Sequence, residues 1–391
     1  MNYLLSIIVP TKDRYKYLKH LILLIQGFNL KEIELVIQDN TKNNAEILTF
    51  IKKQSYSHLK YFHQSEKIPL EQNATKALLN STGDYICYIG DDDGVTRNIV
   101  ECVKWMNREN IESLRSRKPY HYLWPDAVIN SNNKHSSVLA YFNSKETYEF
   151  LNPIEELNKV CGFGMQSIGL MPKLYHGIVR RDILDEIYRI GGRYFPGAAG
   201  DMANAVALSF IVKRFVVIDF PVTIHGSSQM LGGGIVQRKN EIAELDEVDF
   251  ISQKVRDHWE KKIPRFWHTC FVWPESGTKA LRYMSKEEFI EKIDYDYMLG
   301  HFLSRQNLSY FMLCLRFATR KSLLIEHYVK FLFIQFLVKA KKIVSNLLFW
   351  KNRVLYSVKL IEGVDNIVEA EEKLAKESGK INYQDLVEFR L

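Results

Sequence analysis

Three consecutive carboxylates, Asp91, Asp92 and Asp93, follow the apolar run Tyr85-Ile86-Cys87-Tyr88-Ile89 and a single Gly90. Like charges crowded at the end of a buried strand raise one another's pKa values and repel unless they share a cation. A divalent metal, Mn²⁺ or Mg²⁺, is the simplest such cation. A solvated acidic turn is the plain alternative.

The elements needed to position these carboxylates are visible upstream. An apolar run, Leu4-Leu5-Ser6-Ile7-Ile8-Val9, stops at Pro10-Thr11-Lys12-Asp13-Arg14, and a helical pattern follows through Tyr17, Leu18, Leu21, Leu24 and Ile25. A second run over 33–37 ends in Gln38-Asp39-Asn40-Thr41, with a helix expected over 45–53. A third run, Leu59-Lys60-Tyr61-Phe62, leads to a helix expected over 72–79, and Gly83-Asp84 returns the chain to the Asp-tipped strand. Strands alternating with helices imply right-handed crossovers and a mostly parallel sheet covered on both faces. Ligands of such sheets lie outside the carboxyl ends of the strands, so Thr11, Asp39 and residues 91–93 are expected to converge on one crevice.

In order and spacing, Ser6-Ile7-Ile8-Val9-Pro10-Thr11, Val36-Ile37-Gln38-Asp39-Asn40, Asn73, Gly83-Asp84-Tyr85-Ile86 and Asp91 to Asp93 resemble the nucleotide-sugar domain of family 2 glycosyltransferases with the GT-A fold. The resemblance covers residues 3 to about 105 firmly, extends to about 235 and ends there. It implies an α/β fold with a mostly parallel central sheet, followed by a helical C-terminal region. It further implies that Pro10, Thr11, Arg14, Asp39, Asn73 and Asp91 line a nucleotide-sugar pocket, with Thr11 and Asp39 at the base. Many relatives carry Asp-x-Asp-Asp where this chain has Gly90-Asp91-Asp92-Asp93. Asp92 is therefore expected to be the principal metal ligand, with Asp91 facing the ribose and Asp93 in support.

Other residues have a functional and a plainer reading. Lys67 could reach a phosphate, or be ordinary surface. Arg180 and Arg181, after a strand-like Gly177-Ile178-Val179, could pair with an anionic acceptor or a diphosphate, or be exposed charges at the start of a helix capped by Asp182. Asp201 follows the small-residue loop Phe195-Pro196-Gly197-Ala198-Ala199-Gly200. It occupies the position at which similar inverting transferases carry the carboxylate that takes the acceptor's proton; otherwise it caps a helix. The resemblance also makes His225 a candidate third metal ligand, which would favour Mn²⁺ because Mg²⁺ prefers oxygen and water. Gly232-Gly233-Gly234 reads as a lid over the diphosphate.

The rest of the sequence excludes other chemistries. There is no Gly-x-Ser-x-Gly, Walker-type loop or Cys-x-x-Cys, and the five cysteines are scattered without zinc or disulfide spacing. The run 4–9 is too short for a signal peptide and has no basic leader, so a cytoplasmic setting is expected. The chain of 391 residues, 46% hydrophobic and 25% charged, is globular and long enough for two units. A polar, charge-rich passage over 238–249 places the expected boundary there: 1–240 catalytic, 241–391 helical.

Positive charge is concentrated late in the chain. Residues 313–360 hold ten Lys or Arg against one acid, Glu326, more positive charge than the net +7 of the whole chain. Apolar residues recur opposite the lysines at helical spacing, without the long uninterrupted run of a spanning helix. Three partners fit: an anionic membrane surface at the inner face of the cell membrane, the catalytic unit itself, or another copy in a homo-oligomer. The apolar face argues against nucleic acid. The expected partners at the site are a nucleotide-sugar donor and an acceptor hydroxyl on a cell-surface glycan or lipid-linked oligosaccharide. The rival functions are a nucleotidyltransferase, which would need a glycine-rich phosphate loop after the first strand, and a non-catalytic glycan-binding protein.

Overall fold

The computed structural model describes residues 3–54, 56–127, 136–229, 242–248, 251, 253–348, 358–378, 381–383 and 385–388. The first strand, β1 (Leu5–Thr11), is buried at every position, as its unbroken apolar run requires in a sheet covered on both faces. It leads into α1 (Tyr15–Phe28), which turns Tyr17, Leu18, Leu21 and Ile25 onto the sheet and ends at Asn29 in the left-handed conformation. β2 (Ile33–Asp39), α2 (Ala45–Gln54), β3 (Leu59–His63), α3 (Leu70–Leu79) and β4 (Tyr85–Tyr88) continue the alternation. β1 pairs in parallel with both β2 and β4, and β2 with β3. Register places Thr11 opposite Asp39, and the chain leaves β4 directly into the Asp turn.

Short strands complete two sheets: β5 (Gly94–Val95), β6 (Ser113–Ser116), β7 (Tyr120–Leu123), β8 (Val138–Phe142), β9 (Thr147–Leu151), β10 (Gly177–Arg180), β11 (Phe215–Ile218) and β12 (Thr223–Ser227). Among them lie α4 (Ile99–Arg108), α5 (Pro153–Gly162), α6 (Arg181–Gly191) and α7 (Gly200–Ile211). The large sheet has nine strands, the other main sheet five, and β5 and β12 of the smaller sheet flank the Asp turn. Most pairings of the large sheet are parallel, but β10 is inserted antiparallel between β4 and β6.

After residue 242 the chain is mainly helical through Thr269–Tyr283, Tyr295–Leu303, Phe311–Phe317 and Lys321–Leu348. Helix Thr269–Tyr283 packs against α7, and Ser276 Oγ accepts a hydrogen bond from Ala199 N at 2.8 Å. The region beyond residue 240 carries strands as well as helices. Strand Val358–Glu362 pairs with β8, and strand Val387–Glu388 pairs with β9, so the last residues finish both sheets. Helix Ile367–Ser378, between them, packs on α1, and Arg97 grips the buried Glu371 through its Nε, Nη2 and backbone N–H. Those edges of β8 and β9 would otherwise present unpaired backbone groups.

Candidate active site

The floor of the crevice is made by the ends of β1 and β2. Asn73 on α3 donates from Nδ2 to Thr11 O at 3.3 Å and Gln38 O at 3.1 Å, tying the two strand ends together. Its Oδ1 is buried without a hydrogen-bond partner among the described residues. Pro10 is buried within β1, and Lys67 is exposed after β3. Asp39 is fully buried and accepts from Tyr15 OH at 2.6 Å, Tyr61 OH at 2.7 Å and Thr41 N at 2.8 Å. It braces the floor, and contact with a base requires one of these donors to move.

The three carboxylates each have their own protein partners. Asp91 accepts from Thr11 Oγ1 at 2.5 Å and Arg14 Nε at 2.6 Å. Asp92 meets Arg14 Nη2 at 2.8 Å and Ser228 Oγ at 2.6 Å, while Trp124 Nε1 donates to its backbone carbonyl. Asp93 accepts from Gly90 N and Gly226 N, both at 2.7 Å, and lies 2.6 Å from His176 Nε2 and 3.1 Å from Tyr175 OH. Gly226 is required sterically: a Cβ there would lie 1.8 Å from Asp92 O, so only glycine lets β12 approach the turn. Burial outweighs these stabilising contacts and pushes all three carboxyls up, Asp91 to about 7.

Mn²⁺ or Mg²⁺ was expected on Asp92 and Asp93, with His225 completing the shell. The arrangement described does not fit one. Arg14 spans Asp91 and Asp92, and Asp93 is filled by backbone donors and His176. His225 stacks on His176 with ring centroids 3.6 Å apart, and meets His121 edge-on at 5.5 Å. Among the described residues no group of three or more His, Cys, Asp or Glu side chains is arranged to hold a metal ion.

Asp201 lies in the first turn of α7. The N-cap position of that helix is Ala199, so Asp201 is not the cap; its Oδ1 accepts from Met202 N at 2.8 Å. Burial raises its pKa above the usual carboxylate range, while Met202 N and the Lys173 ammonium act in the other direction. Lys173 has a strongly lowered pKa, about 7, through burial and Arg115, and it feels the charges of both Asp201 and Asp93. The Tyr88 hydroxyl feels Asp201, Asp93 and Asp91, in that order. The ring of Tyr88, at the end of β4, meets that of Phe195, in the loop before α7, at 5.9 Å, which brings the start of α7 beside the strand that leads into the Asp turn.

Two expected candidates lie elsewhere. Arg180 stands opposite Tyr85, at the start of β4 rather than its end, and binds Asp182 at 2.7 and 2.9 Å. Arg181 donates to Gly83 O and Ser81 Oγ. Asp182 is not the cap either; Arg180 holds the N-cap position of α6. Because β10 runs antiparallel, residues after it lie at the far edge of the sheet, and those before it lie at the crevice. Lys173, Tyr175 and His176 accordingly line the site, with His176 N bonded to Tyr88 O at 2.9 Å. Sequence reasoning missed them; the available signal was their place just before a strand that runs against its neighbours. The Gly232–Gly234 lid lies outside the described residues.

Residues 6–117 match the family described as Glycosyl transferase family 2. The glycosyltransferase GlyG of Streptococcus pneumoniae serotype 4 is 27% identical over 263 residues, 66% of this chain and 81% of GlyG. These matches make residues 6–117 similar to family 2 glycosyltransferases, and the α/β topology with its converging strand ends agrees with that likeness. Solved structures resemble it more distantly. S. aureus TarS 1–349 in complex with UDP-GlcNAc has a TM-score of 0.46 at 15% identity, covering 84% of this chain and 89% of that one. The mannosyltransferase PcManGT of Pyrobaculum calidifontis, in complex with GDP-Man and Mn²⁺, has a TM-score of 0.39 at 13% identity, covering 85% and 88%. Against the longer TarS chain, this protein spans 37% of its length.

Proposed function

We propose that this glycosyltransferase is inverting and moves a sugar from a nucleotide-sugar, UDP-linked, to a hydroxyl of a cell-surface glycan or lipid-linked oligosaccharide. What supports this reading is the Thr11–Arg14–Asp91 network at the end of β1, together with the 5.9 Å contact of Tyr88, at the end of β4, with Phe195 in the loop that leads to Asp201. In the proposed reaction the Asp201 carboxylate takes the acceptor hydroxyl's proton as that oxygen attacks the anomeric carbon. The bond from that carbon to the diphosphate oxygen breaks, and its electron pair leaves with the nucleoside diphosphate.

The nucleotide would lie over Thr11, Asp39 and Asn73. The buried Asn73 Oδ1 and Arg14 Nη1, both without partners among the described residues, are spare groups for ligand donors and acceptors respectively. Lys173, whose pKa lies near neutrality, is a cation placed to counter charge developing between the Asp turn and Asp201. Metal dependence was expected from the Asp run, and Mn²⁺ or Mg²⁺ on Asp92 would require Arg14 to leave it. We propose 1–240 as the part that carries the reaction, with residues 358–388 as structural completion of its sheets.

The test is nucleotide release from a panel of UDP- and GDP-sugars by the full chain, with and without oligosaccharide acceptor, beside Asp201→Asn. Acceptor-dependent release that Asp201→Asn loses supports the reading. Equal release by both proteins, or none with any donor, overturns it.

A further inference from the structure

Helix Lys321–Leu348 rests on the molecule by one face and leaves another uncovered. On the covered face, Leu324 is fully buried, and the Phe331 ring lies 4.9 Å from those of Tyr297 and His301. Gln335 Nε2 donates to Ser304 O at 3.1 Å. These positions follow the spacing of one helical stripe. On the opposite side, Ile325, Val329, Phe333 and Phe336 are 45, 56, 59 and 65% exposed and form an apolar stripe, which the exposed Leu332 and Leu337 flank; Ile334 and Val338 are exposed beyond it.

At 3.6 residues per turn, Lys330 falls on one border of that stripe, and Lys321 and Lys339 on the other. All three are exposed. A contiguous exposed apolar face marks a contact surface, and the lysines on both borders decide its partner. A second copy meeting it face to face would bring three lysines and one acid, Glu326, onto their own copies, a net repulsion. An anionic bilayer accepts both components: apolar side chains enter the acyl boundary, and ammonium groups reach the headgroup phosphates. Among the described residues no helix is long and apolar enough to cross a membrane, so this one would lie along the surface.

We propose that Lys321–Leu348 docks the protein on an anionic lipid bilayer through the face made by Ile325, Val329, Phe333 and Phe336. This goes beyond the transfer reaction and does not depend on it, because docking is measured without donor or acceptor. A docked helix would hold the crevice at the surface where a lipid-linked acceptor is presented.

The experiment is flotation of the full chain with vesicles of phosphatidylcholine alone or mixed with phosphatidylglycerol, at low and high salt. The variants are Phe333→Ser/Phe336→Ser and Lys330→Glu/Lys339→Glu, with melting temperatures to establish that these exposed changes leave the fold intact. Expected results are binding to the mixed vesicles, weaker binding to the neutral ones, a loss on adding salt, and a drop of about tenfold or more in each variant. Absent wild-type binding, equal binding to both vesicle types, or undiminished binding by both variants overturns the proposal. So does self-association that the phenylalanine variant abolishes in a protein that ignores vesicles; that result assigns the face to a second copy.

Discussion

Arg14 and Asp91 are joined at 2.6 Å through Nε and Oδ1, with the side chains 10% and 3% exposed, and the same guanidinium reaches Asp92 at 2.8 Å. The repulsion within the Asp run is thus answered from within the chain, by a residue at the end of β1. The guanidinium's planar fork suits two carboxylates at once, and lysine would not reproduce it.

Arg14→Ala should cost most in alkaline solution, about 3–5 kcal/mol, because there it strands two buried, ionised carboxylates. The pair requires ionised Asp91, whose carboxyl lies near 7. Its contribution is therefore present above that value and fades as pH falls through it, so the gap between wild type and variant should narrow in acid. Denaturant melts at several pH values check both size and direction; a gap that widens in acid would contradict the pairing.

Mn²⁺ titrated into nucleotide-free protein should bind more weakly to wild type than to Arg14→Gln, since the guanidinium stands where an ion on Asp92 would. Isothermal titration reads this directly. Equal affinities would mean that Arg14 and a metal do not compete.

Asp201→Asn should leave donor affinity within a few-fold while turnover falls by roughly 10² to 10⁴. Donor binding and single-turnover transfer on one preparation separate a lost base from a damaged fold. Normal turnover per folded molecule would rule out the base.

Lys173→Met should shift the acidic limb of the kcat/KM profile to higher pH. The ammonium opposes the rise of the Asp201 pKa, so its removal lets that pKa climb and base ionisation begins later. Lys173→Arg should restore the limb toward its original position. No movement in Lys173→Met, or movement toward acid, would separate Lys173 from the base.

Gly226→Ala should destabilise the protein by about 1–3 kcal/mol, the usual penalty of forcing an extra carbon into packed structure. The added Cβ must push β12 away from Asp92 O, which also removes the Gly226 N–H from Asp93. A melting temperature equal to wild type would place β12 farther from the turn.

The sequence is most legible where one local signal fixes one element. The apolar runs of β1 and β2 and the period of α1 specify a covered sheet before any contact is known, and the Asp run marks the crevice. The partners of those aspartates were not legible. Arg14 was visible as a pocket residue, but nothing in Thr11-Lys12-Asp13-Arg14 says that its side chain folds back onto residues 77 positions away. Arg180 and Arg181 could be read as anion partners or as charges at a helix start, and only the antiparallel direction of β10 shows that they lie away from the Asp turn. The hydrogen bonds that hold Asp39 were not legible either, because its tyrosine donors come from α1 and β3. The strands of the smaller sheet are two to five residues long, too short to announce a period.

The return of residues 358–388 to β8 and β9 sets the order in which the molecule can be assembled. Val387 pairs with Thr147, so more than half the chain must be translated between one partner and the other. At ordinary elongation rates that interval is on the order of 10–50 s. Throughout it, the nascent chain carries the two strand edges that residues 358–388 later cover. Such long-range pairings carry a heavy loop-closure cost and form slowly. Closure of both sheets therefore follows synthesis of the crevice residues, and until then those edges stay open to pairing with other strands.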